Sequence, residues 1–263
     1  MRLLILFLMF STSLMAQETM IYENIILTPN KKLEGKLISG VKLHNAKYHT
    51  GGKSTASLYS ILTGPNSGKF VWLDGPMTYA DLDQQPNAAH MADWGKNIQS
   101  YITDEKIKHA QLHWEASYTP TEFGSSDYLL IRTFKLKNKA NSMAKVLEAI
   151  TKIKEVLVAT NASIVRRVYV SPFRSENGED ISLVYPFKSF TRFEKSNGLP
   201  ENFAASYEEI NGMGSWRRDI AEVLETYTNG RYDEIRVLQN NGSQHLIELK
   251  DSVSNQSIYK KGW

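Results

Sequence analysis

The feature that most constrains the fold is a pattern that occurs twice. A proline, an aromatic residue, an apolar–acidic pair and a Trp-x-x-x-Ile motif follow one another in both halves of the chain. The members are Pro76, Tyr79, Leu82, Asp83, Trp94 and Ile98 in the first copy, and Pro186, Phe190, Phe193, Glu194, Trp216 and Ile220 in the second. Self-similarity on this scale constrains the architecture more than local propensity does, because each copy must form one supersecondary unit.

Hydrophobic periodicity gives the elements of each copy. In both halves an amphipathic helix, at residues 31–48 and 138–158, lies between a first strand and a strand hairpin. A second helical region and a closing strand follow the hairpin. We therefore predict an α+β fold of two tandem ferredoxin-like βαββαβ repeats, at residues 22–117 and 127–239. A Ser-, Thr-, Gly- and Pro-containing linker at 117–126 would separate them.

The two ends of the chain differ in composition from the repeats. Arg2 precedes an apolar run at residues 3–10, and a small residue, Ala16, precedes Gln17, which together predict a cleavable secretory signal at 1–16. The alternative is an uncleaved N-terminal anchor. The chain has no cysteine, which excludes a lipoprotein anchor and disulfides. We expect a periplasmic or secreted protein that ends in a polar tail at residues 240–263.

Charge and known motifs exclude several classes of function. The chain carries 31 basic and 28 acidic residues without a long run of either sign, so nucleic-acid binding has no support. No other apolar stretch is long enough to span a bilayer, so no membrane association is expected after signal cleavage. The sequence also lacks a nucleophile elbow, an H-E-x-x-H motif and a Rossmann fingerprint.

The element order and the repeated Pro…Trp-x-x-x-Ile pattern resemble the dimeric α/β-barrel superfamily, which includes NIPSNAP-like proteins and antibiotic-biosynthesis monooxygenases. The resemblance covers residues 23–239. It implies a pseudo-dimeric α/β barrel within one chain, or a homodimer of tandem chains, with a ligand cavity between the sheets. It also implies, as one alternative, cofactor-independent oxygenase chemistry. Haem-binding members of the superfamily place a histidine on a helix, and His90 is the residue here that fits that description.

The copies are not equal in length. Trp94 follows Tyr79 by 15 positions, whereas Trp216 follows Phe190 by 26. The second copy therefore carries an insertion at about residues 196–214, and insertions of this size often form lids or partner surfaces.

The closing strand of the first copy, residues 106–115, supplies the candidate catalytic residues. A period of two places Ala110, Leu112 and Trp114 on one face, which we expect against the helices, and His109, Gln111, His113 and Glu115 on the face toward the interior. His109 or His113 would act as a general base, and Gln111 would contact the ligand. Two residues four positions apart on a strand lie about 13 Å apart, too far to share one metal ion. We therefore expect no metal site and no cofactor.

Arginine and tryptophan residues on other predicted strands complete the candidate site. If Ile235 and Val237 pack on helices, Arg236 faces inward with Glu234. Arg132 would join it, and the planar guanidinium groups would favour an anionic ligand. Trp72 is predicted to alternate onto the cavity face.

Three functions remain open at this stage. The first is an exported protein that binds a small, anionic or aromatic molecule in the inter-sheet cavity, and this is the preferred one. The second is a cofactor-independent monooxygenase-like enzyme, with Arg132 or Arg236 stabilising an oxyanion. The third is a structural or interaction module that uses the insertion and the tail.

Overall fold

The computed structural model describes residues 19–50, 55–84, 86–120, 126–194 and 199–239. The predicted signal segment and the C-terminal tail lie outside these ranges. The strands are β1 (Ile21–Pro29), β2 (Thr55–Ile61), β3 (Phe70–Met77), β4 (Ile102–Leu112), β5 (Tyr128–Leu136), β6 (Arg167–Val170), β7 (Ile181–Phe187) and β8 (Thr228–Leu238). The α-helices are α1 (Glu34–Tyr48), α2 (Tyr79–Leu82), α3 (Ala88–Asn97), α4 (Ser142–Ala159), α5 (Phe203–Asn211) and α6 (Glu222–Tyr227). A π-helical turn, Arg217–Ala221, leads into α6.

The strands form one closed antiparallel barrel in the order β1-β3-β2-β8-β5-β7-β6-β4. The predicted α+β class with antiparallel strands and flanking helices is therefore confirmed. The strand order is β4-β1-β3-β2 in the first half and β8-β5-β7-β6 in the second, so each half-sheet has the order expected of a ferredoxin-like unit. That the halves arose from one repeated unit stays a prediction.

The two half-sheets meet along two short seams. At the first, residues 59–61 of β2 pair with residues 236–238 of β8. At the second, Gln111 and Leu112 of β4 pair with Val170 and Tyr169 of β6. Within each half the pairing is longer, and β1 pairs with β4 from Ile21 to Pro29. The seams are therefore the least extensively hydrogen-bonded joints of the barrel.

Both faces of the sheet are apolar because helices cover the outside and the barrel encloses the inside. On the outside of the first half, Leu37 and Val41 of α1 pack with Trp94 of α3 against Leu58 and Trp72. A matching outer layer in the second half places Val146 and Ile150 of α4 on Phe134, Val168 and Ile181. A third cluster fills the inside with Ile26, Tyr59, Ile61, Val71, Leu129 and Ile131.

The described part of the predicted insertion extends the second outer layer. Helix α5 buries Tyr207 completely against Ala149 and Val156 of α4 and Ile220 of the π-helical turn. Among the described residues, none of the helices combines the length and the apolar character needed to cross a bilayer.

Candidate functional site

The candidate site is a cavity of about 400 Å³ inside the barrel. It is lined on one side by aliphatic residues that alternate inward along their strands, namely Ile26, Leu73, Leu129, Ile131 and Val184. The polar part of the lining includes Asn24, Thr133, Arg167, Ser182, Glu234 and Arg236. The inside of the barrel thus combines an apolar wall with a group of buried and half-buried hydrogen-bonding side chains.

Arg236 and Glu234 form the centre of that polar group. The Nη2 atom of Arg236 lies 3.2 Å from Oε2 of Glu234, and its Nη1 atom lies 3.4 Å from Oδ1 of Asn24. Asn66, in the β2–β3 turn, donates to the other carboxylate oxygen of Glu234 at 2.7 Å. The side chains of Arg236 and Glu234 are 13% and 2% exposed. Each polar group is therefore partly compensated in a site from which most water is excluded.

Arg167 and two tyrosines extend the polar group. Burial raises the pKa of Tyr59 and of Tyr169, and the nearby guanidinium charges only partly oppose that rise. Both phenols therefore stay protonated at neutral pH and can act as donors. Among the described residues, the buried Nε atoms of Arg167 and Arg236 have no hydrogen-bond partner, and neither has the hydroxyl of Tyr59 in the inner apolar cluster. The two Nε atoms belong to residues that line the cavity, so they are donors that an anion inside the barrel would satisfy.

The cavity opens beside β4, where the seam with β6 ends. The cavity lining includes four consecutive residues of β4, Ile107 to Ala110, which come from both faces of the strand. They reach the cavity because the pairing of β4 with β6 is limited to Gln111 and Leu112. Lys108 reaches across the gap to Glu179, with its Nζ atom 2.6 Å from Oε2. Phe173 also lines this side, and it is 59% exposed.

Charged residues of the lining carry a small positive excess. The basic members are Lys108, Arg167, Arg174 and Arg236, and the acidic members are Glu179, Asp180 and Glu234. Four basic and three acidic groups thus line the cavity among the described residues, a balance that favours an anion over a cation.

The structure reverses the predicted faces of β4. Ala110 pairs with Tyr22, which lines the cavity, whereas His109 pairs with Glu23 on the opposite face. The prediction assumes that the apolar face of the strand packs against the helices. In this barrel both faces of the sheet are apolar, so the alternation of apolar and polar residues does not show which face points inside. Gln111, on the same face as His109, accepts a hydrogen bond from Tyr79 at 2.9 Å outside the barrel. Its predicted place in the interior was wrong.

His109 nevertheless reaches the cavity, because it lies on the unpaired edge of β4. Its Nε2 atom is 3.5 Å from Oε1 of Glu23, and its ring packs edge-on against Phe173. Burial lowers the pKa of His109, whereas burial and the charge of Asp74 raise the pKa of Glu23. His113 lies beyond the end of β4, where its Nδ1 atom accepts from the backbone of Ala116 at 3.3 Å, and it does not line the cavity.

Arg236 faces inward as predicted, but Arg132 and Trp72 face outward. Arg132 makes a two-pronged ion pair with Asp233 on the outer surface of the sheet, at 2.9 and 2.8 Å. Trp72 packs under the helices of the first half and donates to Asn45 at 2.9 Å. Asp233 and Asn45 satisfy their polar groups locally, so neither residue needs the interior.

Comparison with known proteins shows the fold alone. No protein-family model and no curated protein matches the chain. An anthrone oxidase-like protein has a TM-score of 0.54 at 14% identity, over 85% of this chain and 92% of its own. A chlorite dismutase variant from Candidatus Nitrospira defluvii has a TM-score of 0.51 at 12% identity, over 86% and 94%. A protein provisionally assigned as a monooxygenase, from Lactobacillus acidophilus NCFM, has a TM-score of 0.50 at 10% identity, over 84% and 94%.

Proposed function

We propose that the barrel binds a small molecule with an apolar body and one anionic group. The observation that carries this proposal is the placement of Arg236 and Arg167 beside an aliphatic wall in a cavity of about 400 Å³ inside the barrel. That volume is in the range of small-molecule sites, about 300–1,000 Å³. A carboxylate, sulfonate or phenolate would pair with the guanidinium groups, and its apolar body would lie on Leu129, Ile131 and Val184.

The unpartnered donors argue for an anion rather than a neutral ligand. Arg236 already uses two nitrogens on Glu234 and Asn24, and its Nε atom has no partner among the described residues. The Nε atom of Arg167, which also lines the cavity, is a second donor of this kind. Hydrogen bonds from charged donors to an anion are about twice as strong as neutral ones, so such a ligand would gain most from this arrangement.

Binding can be tested with the fluorescent probe 8-anilinonaphthalene-1-sulfonate, which combines aromatic rings with a sulfonate. The informative variant is Arg236→Lys, because lysine keeps a charge beside Glu234 but loses the planar fork. Arg132→Lys is the matched control, since it makes the same change on the outer face of the sheet. We expect Arg236→Lys to weaken binding about tenfold or more, about 1.4 kcal/mol, and the control to bind as the parent does.

Equal affinities in the parent and both variants would refute a site at Arg236. Native mass spectrometry of protein purified from its own host gives an independent readout. A retained small mass that is lost in Arg236→Lys and kept in Arg132→Lys would support the proposal and identify the ligand class.

A second candidate function is oxygenase-type turnover of a bound phenol or related compound. The observation that favours it is His109 at the cavity opening, where a lowered pKa keeps the imidazole neutral and able to accept a proton. The resulting anion would be stabilised by the interior arginines. One protein of similar fold is anthrone oxidase-like and another is provisionally assigned as a monooxygenase, which makes this chemistry worth testing.

Oxygen uptake with an anthrone or a hydroxynaphthalene separates this function from passive binding. We expect His109→Gln to lower turnover at least a hundredfold, as loss of a general base does, and His113→Gln to leave turnover unchanged. Binding of the substrate without oxygen uptake in the parent protein would leave ligand binding as the function.

We also propose that the chain is exported and that its barrel derives from tandem repetition. The apolar run at residues 3–10 and the repeated Trp-x-x-x-Ile motif support these proposals. Fractionation of the native host, followed by N-terminal sequencing, tests export, and we expect a mature protein that begins near Gln17. Recovery of the uncut chain from the cytoplasm would contradict this.

A further inference from the structure

Three histidines come together outside the barrel, between the helices and the sheet of the first half. His44 lies on α1, His49 caps the C-terminal end of the same helix, and His90 lies on the first turn of α3. One ring nitrogen from each of the three lies within 4.8 Å of the others. The Nε2 atoms of His44 and His90 are 2.9 Å apart. This group, the histidine cluster, takes no part in the cavity described above.

A carboxylate lies beside the Nδ1 atom of two of these histidines. The Nδ1 atom of His44 lies 2.9 Å from Oδ2 of Asp93, so Nδ1–H donates a hydrogen bond to the carboxylate and the lone pair of the neutral ring is on Nε2. The Nδ1 atom of His49 lies 3.6 Å from Oδ2 of Asp74, which is within ion-pair distance but too long for a hydrogen bond. A carboxylate behind a histidine is the usual outer-shell arrangement of metal-binding imidazoles.

The inner nitrogen of His49 lacks a partner. Its Nε2 atom is buried and has no hydrogen-bond partner in the part of the chain that the structure describes, and the whole side chain is only 7% exposed. A buried polar atom of this kind is costly unless something binds it. The Nε2 atoms of His44 and His90 share one hydrogen bond in this arrangement. With a cation between them, both nitrogens could instead donate their lone pairs to the cation.

Aromatic packing fixes the rings in place. The ring of Tyr48 stacks on His90 with centroids 4.4 Å apart, and Trp94 packs edge-on against His44 at 5.2 Å. Trp72 packs edge-on against His49 at 5.0 Å. Neighbours of this size limit the rotation of the imidazoles and keep them directed at one another.

We propose that His44, His49 and His90 bind one divalent transition-metal ion of the zinc type through their Nε2 atoms. Zinc–nitrogen bonds of 2.0–2.1 Å at tetrahedral angles require ligand nitrogens about 3.3–3.4 Å apart. The separations within the cluster, from 2.9 Å to at most 4.8 Å, bracket that value. Asp93 is a positioning residue that orients His44, Asp74 supplies a negative charge beside His49, and the fourth coordination position is left for water or a small anion.

The test uses the full chain without a histidine tag, freed of metal by chelation. Zinc chloride is titrated by calorimetry, and cobalt(II) is added separately because its visible absorption reports tetrahedral coordination. We expect one ion per chain, a tetrahedral cobalt spectrum and a rise in Tm with zinc. His90→Gln should lower the affinity for zinc at least a hundredfold, and Asp93→Asn about 10–100-fold.

Matched controls separate the cluster from the other histidines. His109→Gln removes a histidine elsewhere in the fold, and Asp83→Asn removes an exposed carboxylate near α3. Both should bind zinc as the parent does. The proposal is overturned if His90→Gln binds zinc as tightly as the parent, if His109→Gln abolishes binding, or if the parent protein, with its native circular dichroism spectrum, binds neither ion.

Discussion

The buried pair between Arg236 and Glu234 gives a prediction whose size follows from the structure. In Arg236→Met the guanidinium is replaced by an apolar side chain, and Glu234, 2% exposed, keeps only its hydrogen bond from Asn66. Removing one partner of a buried ion pair costs about 3–5 kcal/mol, because the remaining charge is left in a medium that solvates it poorly. Since Asn66 still donates at 2.7 Å, we expect about 3 kcal/mol of lost stability at pH 7.

Neutralising the carboxylate should restore most of that loss. Glu234→Gln keeps an oxygen that can accept from Asn66, so the double variant should recover about 2 kcal/mol relative to Arg236→Met alone. Urea unfolding of the parent, both single variants and the double variant gives the coupling energy directly.

The outer pair provides the comparison. Arg132 and Asp233 are 29% and 39% exposed, so Arg132→Met should cost only about 1 kcal/mol or less. The reasoning fails if the two arginine variants lose equal stability, or if the coupling between Arg236 and Glu234 is below about 0.5 kcal/mol, the error of such cycles.

Three further predictions concern the rest of the fold. Burial lowers the pKa of His109 and of His113 below 6.5, so these imidazoles take up protons at a higher pH in the unfolded chain than in the folded one. The free energy of unfolding should therefore fall as the pH drops through 6.5, and it should fall less in His113→Gln. Urea unfolding at pH 7.5 and 5.5 measures both effects. Leu37→Ala, at a fully buried site on α1, should cost about 2–5 kcal/mol by the same assay, whereas Leu43→Ala, 64% exposed, should change stability by about 0.5 kcal/mol or less. Gly178 has a φ of +72°, and a Cβ atom added there would lie 2.2 Å from the carbonyl oxygen of Leu136. Gly178→Ala should therefore lower Tm by several degrees, and an unchanged Tm would contradict the turn geometry.

The elements could be predicted from the sequence because their apolar periods are long and their turns carry glycine and asparagine. Helix α1 ends at Tyr48 as predicted and begins three residues later than predicted, and α4 begins four residues later and ends one residue later than the predicted range 138–158. The inward direction of Arg236 and Glu234 was also predictable, since their neighbours Ile235 and Val237 are apolar. The positions of these elements and the inward direction of these two side chains follow from the local spacing of apolar residues along the sequence.

The remaining features depend on tertiary structure. In a closed barrel both faces of each strand are buried, so an apolar residue such as Trp72 or Ala110 fits either face, and the period of two gives no sign of which is which. The histidine cluster brings together α1 and α3, and nothing local to either helix shows that their registers coincide. A hint was present in His44, Tyr48 and Trp94, which place polar aromatic groups on otherwise apolar helix faces.

The short seams between the half-sheets have a consequence for assembly. Each half has its own helix-covered layer. The seams between the halves are short: residues 59–61 pair with 236–238, and Gln111 and Leu112 pair with Val170 and Tyr169. Two chains that exchanged halves would form the same joints twice over, with every inner and outer contact kept. The free-energy difference between the monomer and such a swapped dimer is then set by the segment between β4 and β5 and by protein concentration.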